Sequence, residues 1–307
     1  MTTPVYLNLS LAELRERASA AFARMEHCDL CARLCNTNRL VGKLGVCKTG
    51  VQAQVSSFGP HMGEEAPLRG WKGSGTIFFG RCNLRCEFCQ NYEISQTDVS
   101  NEVSSQELAN IMLKLQAMGC HNINLVSPSH IVPQILAALT LAVQAGLRLP
   151  LVYNTGGYDA LETLQLLDDI VDIYMPDMKF ANAGHAKKYS RALNYPQVNR
   201  AAVVEMYRQV GDLQTDDDGL ATHGLLVRHL VLPRNLAGTK QIVKFLADEI
   251  SVGTYFNLMA QYHPAYNAGR YPELNRRITS SEYNAAVRIA KEAGLTNLDG
   301  SFASMLF

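Results

Sequence analysis

Neither sign of charge is in excess in this sequence: 28 Lys and Arg stand against 28 Asp and Glu in 307 residues. With no net field to concentrate a polyanion, nucleic acid and anionic membranes are disfavoured as partners. No run of about 18 apolar residues occurs, so a conventional membrane-spanning helix is not expected. The first 20 residues hold no apolar signal core. They carry Glu13, Arg15, Glu16 and Arg17 on a helix opened by the capping box Ser10-x-x-Glu13. The expectation is a cytosolic chain. Internal repeats and low-complexity stretches are also missing. The 47% hydrophobic and 18% charged residues are those of a folded globular protein.

Cysteine is the exception to this plainness. Seven of the eight cysteines fall into two groups: Cys28, Cys31, Cys35 and Cys47, then Cys82, Cys86 and Cys89. Thiols stay reduced in the cytosol, where clustered cysteines are more often metal ligands or catalytic groups than disulfides. Cys120 stands alone at the end of a predicted helix and reads as a small buried hydrophobe.

Beyond Trp71 short β-rich runs alternate with amphipathic helices. Strands are expected at 76–79, 122–126, 149–153, 171–175, 225–232 and 255–259. The helix between the first two has a Ser104-x-x-Glu107 capping box, apolar Leu108, Ile111, Met112, Leu115 and Met118 at helical spacing, and Gly119 as its stop. Other helices are expected within 132–145, 160–167, 201–210, 240–250 and 282–293. Strands joined through helices are parallel with right-handed crossovers, which gives an α/β fold of six units, short of a closed eightfold barrel. Reactive groups then belong in the loops at the carboxyl ends of the strands. The acidic stretch around Asp216, Asp217 and Asp218 reads as a solvated loop, since consecutive carboxylates point apart and repel.

Cys82-x3-Cys86-x2-Cys89 follows the first of these strands directly. Three thiolates on one loop can hold three irons of a [4Fe–4S] cluster and leave the fourth iron open to chelate a small molecule; electron-transfer ferredoxins supply four cysteines instead. The plainer alternative is a structural zinc loop that borrows a ligand from elsewhere.

This triplet, with Phe88 inside its last gap, resembles the signature of radical S-adenosylmethionine (SAM) enzymes, and the six βα units resemble their partial (βα)6 barrel. More narrowly, Gly73-Ser-Gly-Thr-Ile-Phe-Phe-Gly80 through Cys89-Gln-Asn-Tyr-Glu-Ile-Ser95 is similar to the pyruvate formate-lyase-activating-enzyme-like branch, specifically its PflX group. Tyr153-Asn-Thr-Gly-Gly-Tyr158, Asp172-Ile-Tyr-Met-Pro-Asp-Met-Lys179, Arg228-His-Leu-Val-Leu-Pro233 and Gln261-Tyr-His-Pro264 fit that group too. The resemblance implies a [4Fe–4S] cluster that binds SAM, its reductive cleavage to methionine and a 5′-deoxyadenosyl radical, and hydrogen abstraction from a substrate. That substrate is a protein glycine if the chain is a glycyl-radical-enzyme activase, or else another peptide or a metabolite. The reductant would be of flavodoxin or ferredoxin type.

Around SAM, the resemblance gives Asp177 and Lys179 a place beside cofactor and substrate, and His263 a place against the ribose or methionine. Where the family often has a Gly-Gly-Glu turn, this chain has Ser127-Pro-Ser-His130. Ser127 and Ser129 can accept from the SAM ammonium, or Ser129 can merely cap the next helix. Asn154 and Thr155 suit ribose or adenine. Arg228 and His229 are neighbours in an apolar strand and so face opposite ways, and Arg228 suits the SAM carboxylate bidentately.

The amino-terminal set, Cys28-x2-Cys31-x3-Cys35-x11-Cys47, supplies four soft ligands within 20 residues. Zinc and a second [4Fe–4S] cluster are both open to it. His61, Glu64 and Glu65 follow and can line the cap that this set forms, with solvent exposure as the simpler reading. The organisation expected is a cysteine-rich region at 1–70, a barrel at 71–270 and a helical extension at 271–307. The rival functions are a non-catalytic iron–sulfur electron carrier, a zinc-organised interaction module, or a nucleic-acid modifier.

Overall fold

The computed structural model describes residues 3–97 and 99–299. Residues 300–307 of the expected carboxyl-terminal extension lie outside the described residues. Within them the chain is an α/β fold built on an open, mainly parallel sheet. Its first strand, β1 (Ala53–His61), is one the sequence did not announce. β1 pairs antiparallel with β2 (Ser74–Phe79), and β3 (Asn101–Val103) pairs antiparallel with residues 53–55 of β1. Ser56, Ser57, Gly59 and Pro60 hide β1 from a reading of hydrophobic alternation. Pro60 is tolerated because β3 leaves that end of β1 as an edge. The expected boundary at residue 70 therefore does not coincide with the start of the sheet.

From β2 onward every expected strand is present and runs parallel to the next expected one: β4 (Ile123–Val126), β5 (Leu151–Thr155), β6 (Ile173–Pro176), β8 (Ala221–Leu230) and β9 (Tyr255–Met259). The acidic stretch before β8 is a short hairpin in which β7 (Gln214–Thr215) pairs with β8. A two-residue strand, β10 (Leu298–Asp299), extends the parallel array beyond β9. The order β10-β9-β8-β6-β5-β4-β2-β1-β3 leaves β10 and β3 as separate edges, so the barrel is partial.

The helices cover the outer face. α1 (Leu11–Ala23) begins with both bonds of the Ser10–Glu13 capping box and packs on α5 (Val132–Gln144), as does α4 (Ser105–Ala117), which begins with the Ser104–Glu107 box. Two short helices, α2 (Ala66–Arg69) and α3 (Tyr92–Gln96), sit in the loops on either side of β2. α6 (Leu161–Gln165) lies within 160–167 as expected. α7 (Ala183–Ser190) was not legible, having only small and polar residues until Tyr189, yet Asn182 caps it by accepting from the His185 amide. α8 (Tyr195–Val210) starts six residues before the expected 201, because buried Tyr195, Pro196 and Asn199 belong to its first turns. α9 (Thr239–Phe245) runs on into a π-helical turn, and α10 (Ser280–Glu292) opens with a Thr279–Glu282 capping box. No described helix is long and apolar enough to cross a membrane. Cys120 is packed in the main core.

Candidate active site

Leaving β2, the chain turns through Gly80 and Arg81, the latter in the left-handed region at φ 69°. A Cβ at Gly80 would lie 2.1 Å from the Ser100 hydroxyl, so only glycine lets β2 run this close to the strand-edge loop. The cysteine loop is then strapped to α7: the Arg85 amide donates to Ser190 O (3.2 Å) and the Glu87 amide to Tyr189 O (2.8 Å). Phe88 anchors it edge-on against Phe180 and Tyr262. Each sulfur has a hydrogen-bonding neighbour. The Leu84 amide donates to Cys82 Sγ (3.4 Å), the Ser190 hydroxyl donates to Cys86 Sγ (3.0 Å), and Cys89 Sγ lies 3.1 Å from Ser95 Oγ. Burial pushes the Cys86 thiol up to about 12 and raises that of Cys82. Both are therefore neutral unless a metal takes the proton's place.

The three cysteines share one cavity of about 150 Å³ with residues from four other strand ends. Ser127 follows β4, Asn154 and Thr155 close β5, Asp177 and Lys179 follow β6, and Arg228 projects from β8. Asp177 is the hub. It accepts from Arg228 Nε at 2.9 Å and from Lys179 Nζ at 2.5 Å, while Arg228 Nη2 donates to Asn154 Oδ1 at 2.7 Å. Burial works against the Asp177 charge, but Arg228 and Lys179 outweigh it and hold the carboxyl below its usual range. Arg228 and Lys179 are in turn held protonated against the cost of burial, Asp177 being the main cause. The result is a fixed set of charges beside the cysteine triplet, oriented before any ligand arrives.

Residues 76–246 match the family model of the Radical SAM superfamily. The chain belongs to that superfamily. An uncharacterized protein of Methanocaldococcus jannaschii is 30% identical over 278 residues, covering 88% of this chain and 76% of that one. Among solved structures, HydG, a maturase of the [FeFe]-hydrogenase, gives a TM-score of 0.50 at 13% identity, covering 71% of this chain and 48% of HydG. A radical SAM methyltransferase from Sphaerobacter thermophilus gives 0.46 at 14%, covering 73% of this chain and 65% of that enzyme. The likeness to HydG is one of fold.

Membership of the radical SAM superfamily implies a SAM-cleaving radical enzyme with a [4Fe–4S] cluster, and the triplet fits that group. Its sulfurs border a cavity and are supplied with hydrogen bonds, as iron–sulfur ligands are. Among the described residues no three Cys, His, Asp or Glu side chains close around one ion. At Gly156 a Cβ would strike Leu84 at 2.7 Å, so glycine there lets the β5 loop seal the cavity wall against the cysteine loop.

Not every residue named from the sequence of this radical SAM protein lines the cavity. Ser129 neither caps α5, whose cap residue is Ile131, nor faces the cavity. Its hydroxyl pairs with Thr155 Oγ1 at 3.0 Å, in a buried network with Asp159 and Tyr153. Thr155 spends its proton on Asp159 Oδ2 at 2.7 Å, and its oxygen accepts from the Gly157 amide at 3.1 Å and the Ser129 hydroxyl at 3.0 Å, which leaves it little to offer a ligand. Ser127 takes the left-handed conformation, φ 61°, and its side chain approaches Cys82. His263 is not among the residues that line the cavity; its Nδ1 lies 3.2 Å from Gln90 Nε2, one residue beyond Cys89. His229 points away from Arg228 as the strand period requires: it lies 2.6 Å from Met178 O and 3.0 Å from Thr239 Oγ1, and burial holds it neutral down to about 4.

Two functional candidates escaped the sequence reading, because solvent exposure was expected for Glu64 and Glu65. The loop between β1 and α2 instead carries both carboxylates inward. Glu65 is 4% exposed and accepts from Asn257 Nδ2 at 2.8 Å, while Glu64 lies 3.9 Å from Arg228 Nη1. Nothing local in the sequence distinguishes them from a solvated acidic pair. Burial pushes the Glu64 carboxyl up to about 7, with Glu65 adding to the rise and Arg228 opposing it. The folded protein thus keeps a proton that the unfolded chain releases near 4.5, so stability from this group is fully present below 4.5 and is lost as pH rises through 7. Within that window the wild type is expected to lose stability relative to Glu64→Gln at up to about 1.4 kcal/mol per pH unit. Urea titrations at several pH values measure it; parallel pH profiles would contradict it.

The amino-terminal cysteines gather apart from this cavity. All four line one narrow void, which Arg33, Leu34, Arg39 and His130 complete.

Proposed function

We propose that this radical SAM protein is a hydrogen-abstracting enzyme of the activating-enzyme type, acting on a glycine of a partner protein, with a flavodoxin- or ferredoxin-type reductant. The observation that carries it is the single cavity in which the cysteine triplet meets the Asp177–Lys179–Arg228 network. A bound cluster would supply one electron to SAM and release methionine and a 5′-deoxyadenosyl radical. Cys82, Cys86 and Cys89 would hold it, leaving one iron for the SAM amino and carboxylate groups.

The remaining work falls to this chain's own residues. Arg228 is already committed to Asp177 and Asn154, so its free face, with Lys179, presents positive charge to the SAM carboxylate without a bidentate grip. Ser127 and Asn154 offer polar atoms to the ammonium and ribose, and His263, held against Gln90 next to Cys89, would approach the cofactor from outside the cavity wall. Phe78, Leu84 and Val126 give part of the cavity wall an apolar face, which would help exclude water from a reactive carbon radical. Asp177 and Lys179 position the substrate backbone. We further infer that Cys28, Cys31, Cys35 and Cys47 hold a second metal centre.

Anaerobic reconstitution with iron, sulfide, SAM and a low-potential reductant is expected to yield 5′-deoxyadenosine; a carrier or zinc module would yield none. Incubation with a candidate glycyl-radical partner should then give the glycine doublet in electron paramagnetic resonance. Formation of 5′-deoxyadenosine without that doublet would move the substrate to another peptide or a metabolite.

A further inference from the structure

We infer that Cys28, Cys31, Cys35 and Cys47 hold a [4Fe–4S] cluster of their own, and that this cluster is the port through which an acidic one-electron carrier protein charges the triplet's cluster. The inference rests on the radical SAM reading above, because a port has a use only if the triplet carries a reducible centre.

The void between the four sulfurs is built for an anion. Arg39 is 0% exposed, and no carboxylate among the described residues reaches it. Its guanidinium donates to His130 O at 2.7 Å and Gly50 O at 2.8 Å and approaches Cys28 Sγ at 3.9 Å, while its Nε has no partner. Thr37 Oγ1 is likewise buried without a partner. A buried cation and orphaned polar atoms are costly unless a counter-charge with acceptor atoms sits among them. Four thiolates on an oxidised cubane leave two net negative charges and sulfide acceptors at that place. At Gly45 a Cβ would stand 2.9 Å from Cys35 Sγ, so the chain passes this sulfur only as glycine, and the Val46 amide donates to it at 3.5 Å. Zinc would draw four sulfurs to about 2.3 Å from one point. A zinc ion in four thiolates would carry the same net charge, so the choice of a redox cluster rests on the link to the triplet that follows.

The two cysteine sets are joined by one side chain. The Asn83 side chain approaches the Cys31 thiol, and its Oδ1 lies 3.8 Å from Cys82 Sγ. Around it the loops are cross-braced: Arg33 Nε donates to Asn83 O at 2.5 Å, and Arg85 Nη2 donates to Val46 O at 2.6 Å, next to Cys47. Burial pins this bridge, since Asn83 is buried and its Nδ2 donates to Tyr158 O at 2.8 Å.

The outer face of the set is basic and apolar. From residue 30 to 63 there is no Asp or Glu, whereas Arg33, Lys43 and Lys48 all fall there, with Lys43 and Lys48 exposed. Leu34, Val41 and Leu44 are 64%, 68% and 52% exposed beside them. An acidic carrier is drawn to such a face by charge and seated by the apolar residues. In the transfer the carrier loses one electron and the amino-terminal cluster passes from 2+ to 1+. It returns to 2+ as the electron moves to the triplet's cluster and from there to the SAM sulfonium, where one carbon–sulfur bond breaks; the relay itself moves no proton.

The test uses the full chain reconstituted anaerobically with iron and sulfide. Cys82→Ala/Cys86→Ala/Cys89→Ala is expected to retain about four irons per chain, no stoichiometric zinc, and a reduced-state paramagnetic signal unmoved by SAM. Zinc, or no metal, overturns the cluster. In the wild type, a flavodoxin hydroquinone is expected to reduce the SAM-sensitive signal in a fast phase that is lost in Cys31→Ser/Cys47→Ser, while dithionite still reduces that signal. A fast phase that survives overturns the relay. Where that variant does not fold, Lys43→Glu/Lys48→Glu keeps both clusters and is expected to slow reduction by flavodoxin about tenfold, with wild-type rates falling as salt is added. An unchanged rate overturns the docking face. Failure of the underlying reading looks different: SAM would then perturb no signal in the wild type, whatever metal the amino-terminal set holds.

Discussion

Cys86→Ser is expected to reduce 5′-deoxyadenosine formation to background and to abolish the SAM-sensitive paramagnetic signal. Cys86 is the most enclosed of the triplet, buried against the aromatic cluster of Phe88, Phe180 and Tyr262 and hydrogen-bonded by Ser190. A serine oxygen is a poor ligand for soft iron and leaves the cluster with two of its three anchors. The effect on folding without metal should be small by comparison, because the change is close to isosteric and Ser190 can still donate to the new hydroxyl. The variant therefore separates loss of chemistry from loss of structure. A Cys86→Ser protein that still cleaves SAM at the wild-type rate would remove the triplet from the mechanism.

Arg228→Ala has the second largest expected effect and acts on both stability and chemistry. The guanidinium, 17% exposed, faces Asp177 at 11% and lies 3.9 Å from Glu64 at 8%. Deleting it strands Asp177 with Lys179 alone and leaves Glu64 without its nearby cation, and breaking a buried pair in this way costs about 3–5 kcal/mol. Urea unfolding of the reconstituted protein measures the loss. Adding Asp177→Asn to Arg228→Ala should recover part of that stability, since the uncompensated charge goes with the carboxylate, but no SAM cleavage. If the double variant is less stable than the single by the full Asp177→Asn effect, the two residues do not act as a pair.

What was legible in the sequence was whatever local physics writes locally. The capping boxes at Ser10 and Ser104, the apolar stripe of α4 and the β-rich runs placed most of the fold, and the rule that chemistry gathers at strand ends brought Cys82, Asn154, Asp177, Lys179 and Arg228 to one cavity. The misses are long-range. β1 reads as polar because much of it is a sheet edge, and α7 has too few apolar residues to show a period. Glu64 and Glu65 look solvated until the loop that carries them is seen to enter the barrel, and Ser129 looks available until Thr155 is seen to occupy it. Arg39 is the sharpest case: an arginine between Asn38 and Leu40 gives no local hint that it is the largest fully buried side chain.

The strand array that ends in β3 on one side and β10 on the other never joins itself. A sealed cylinder admits only what fits through its mouth, whereas an incomplete ring has a flank. On the proposed reading, a macromolecule far too bulky to be swallowed would press a single loop against that seam and offer one backbone carbon to the interior. The unjoined margin would then set which part of a guest must be thin, without limiting how large the whole of it is.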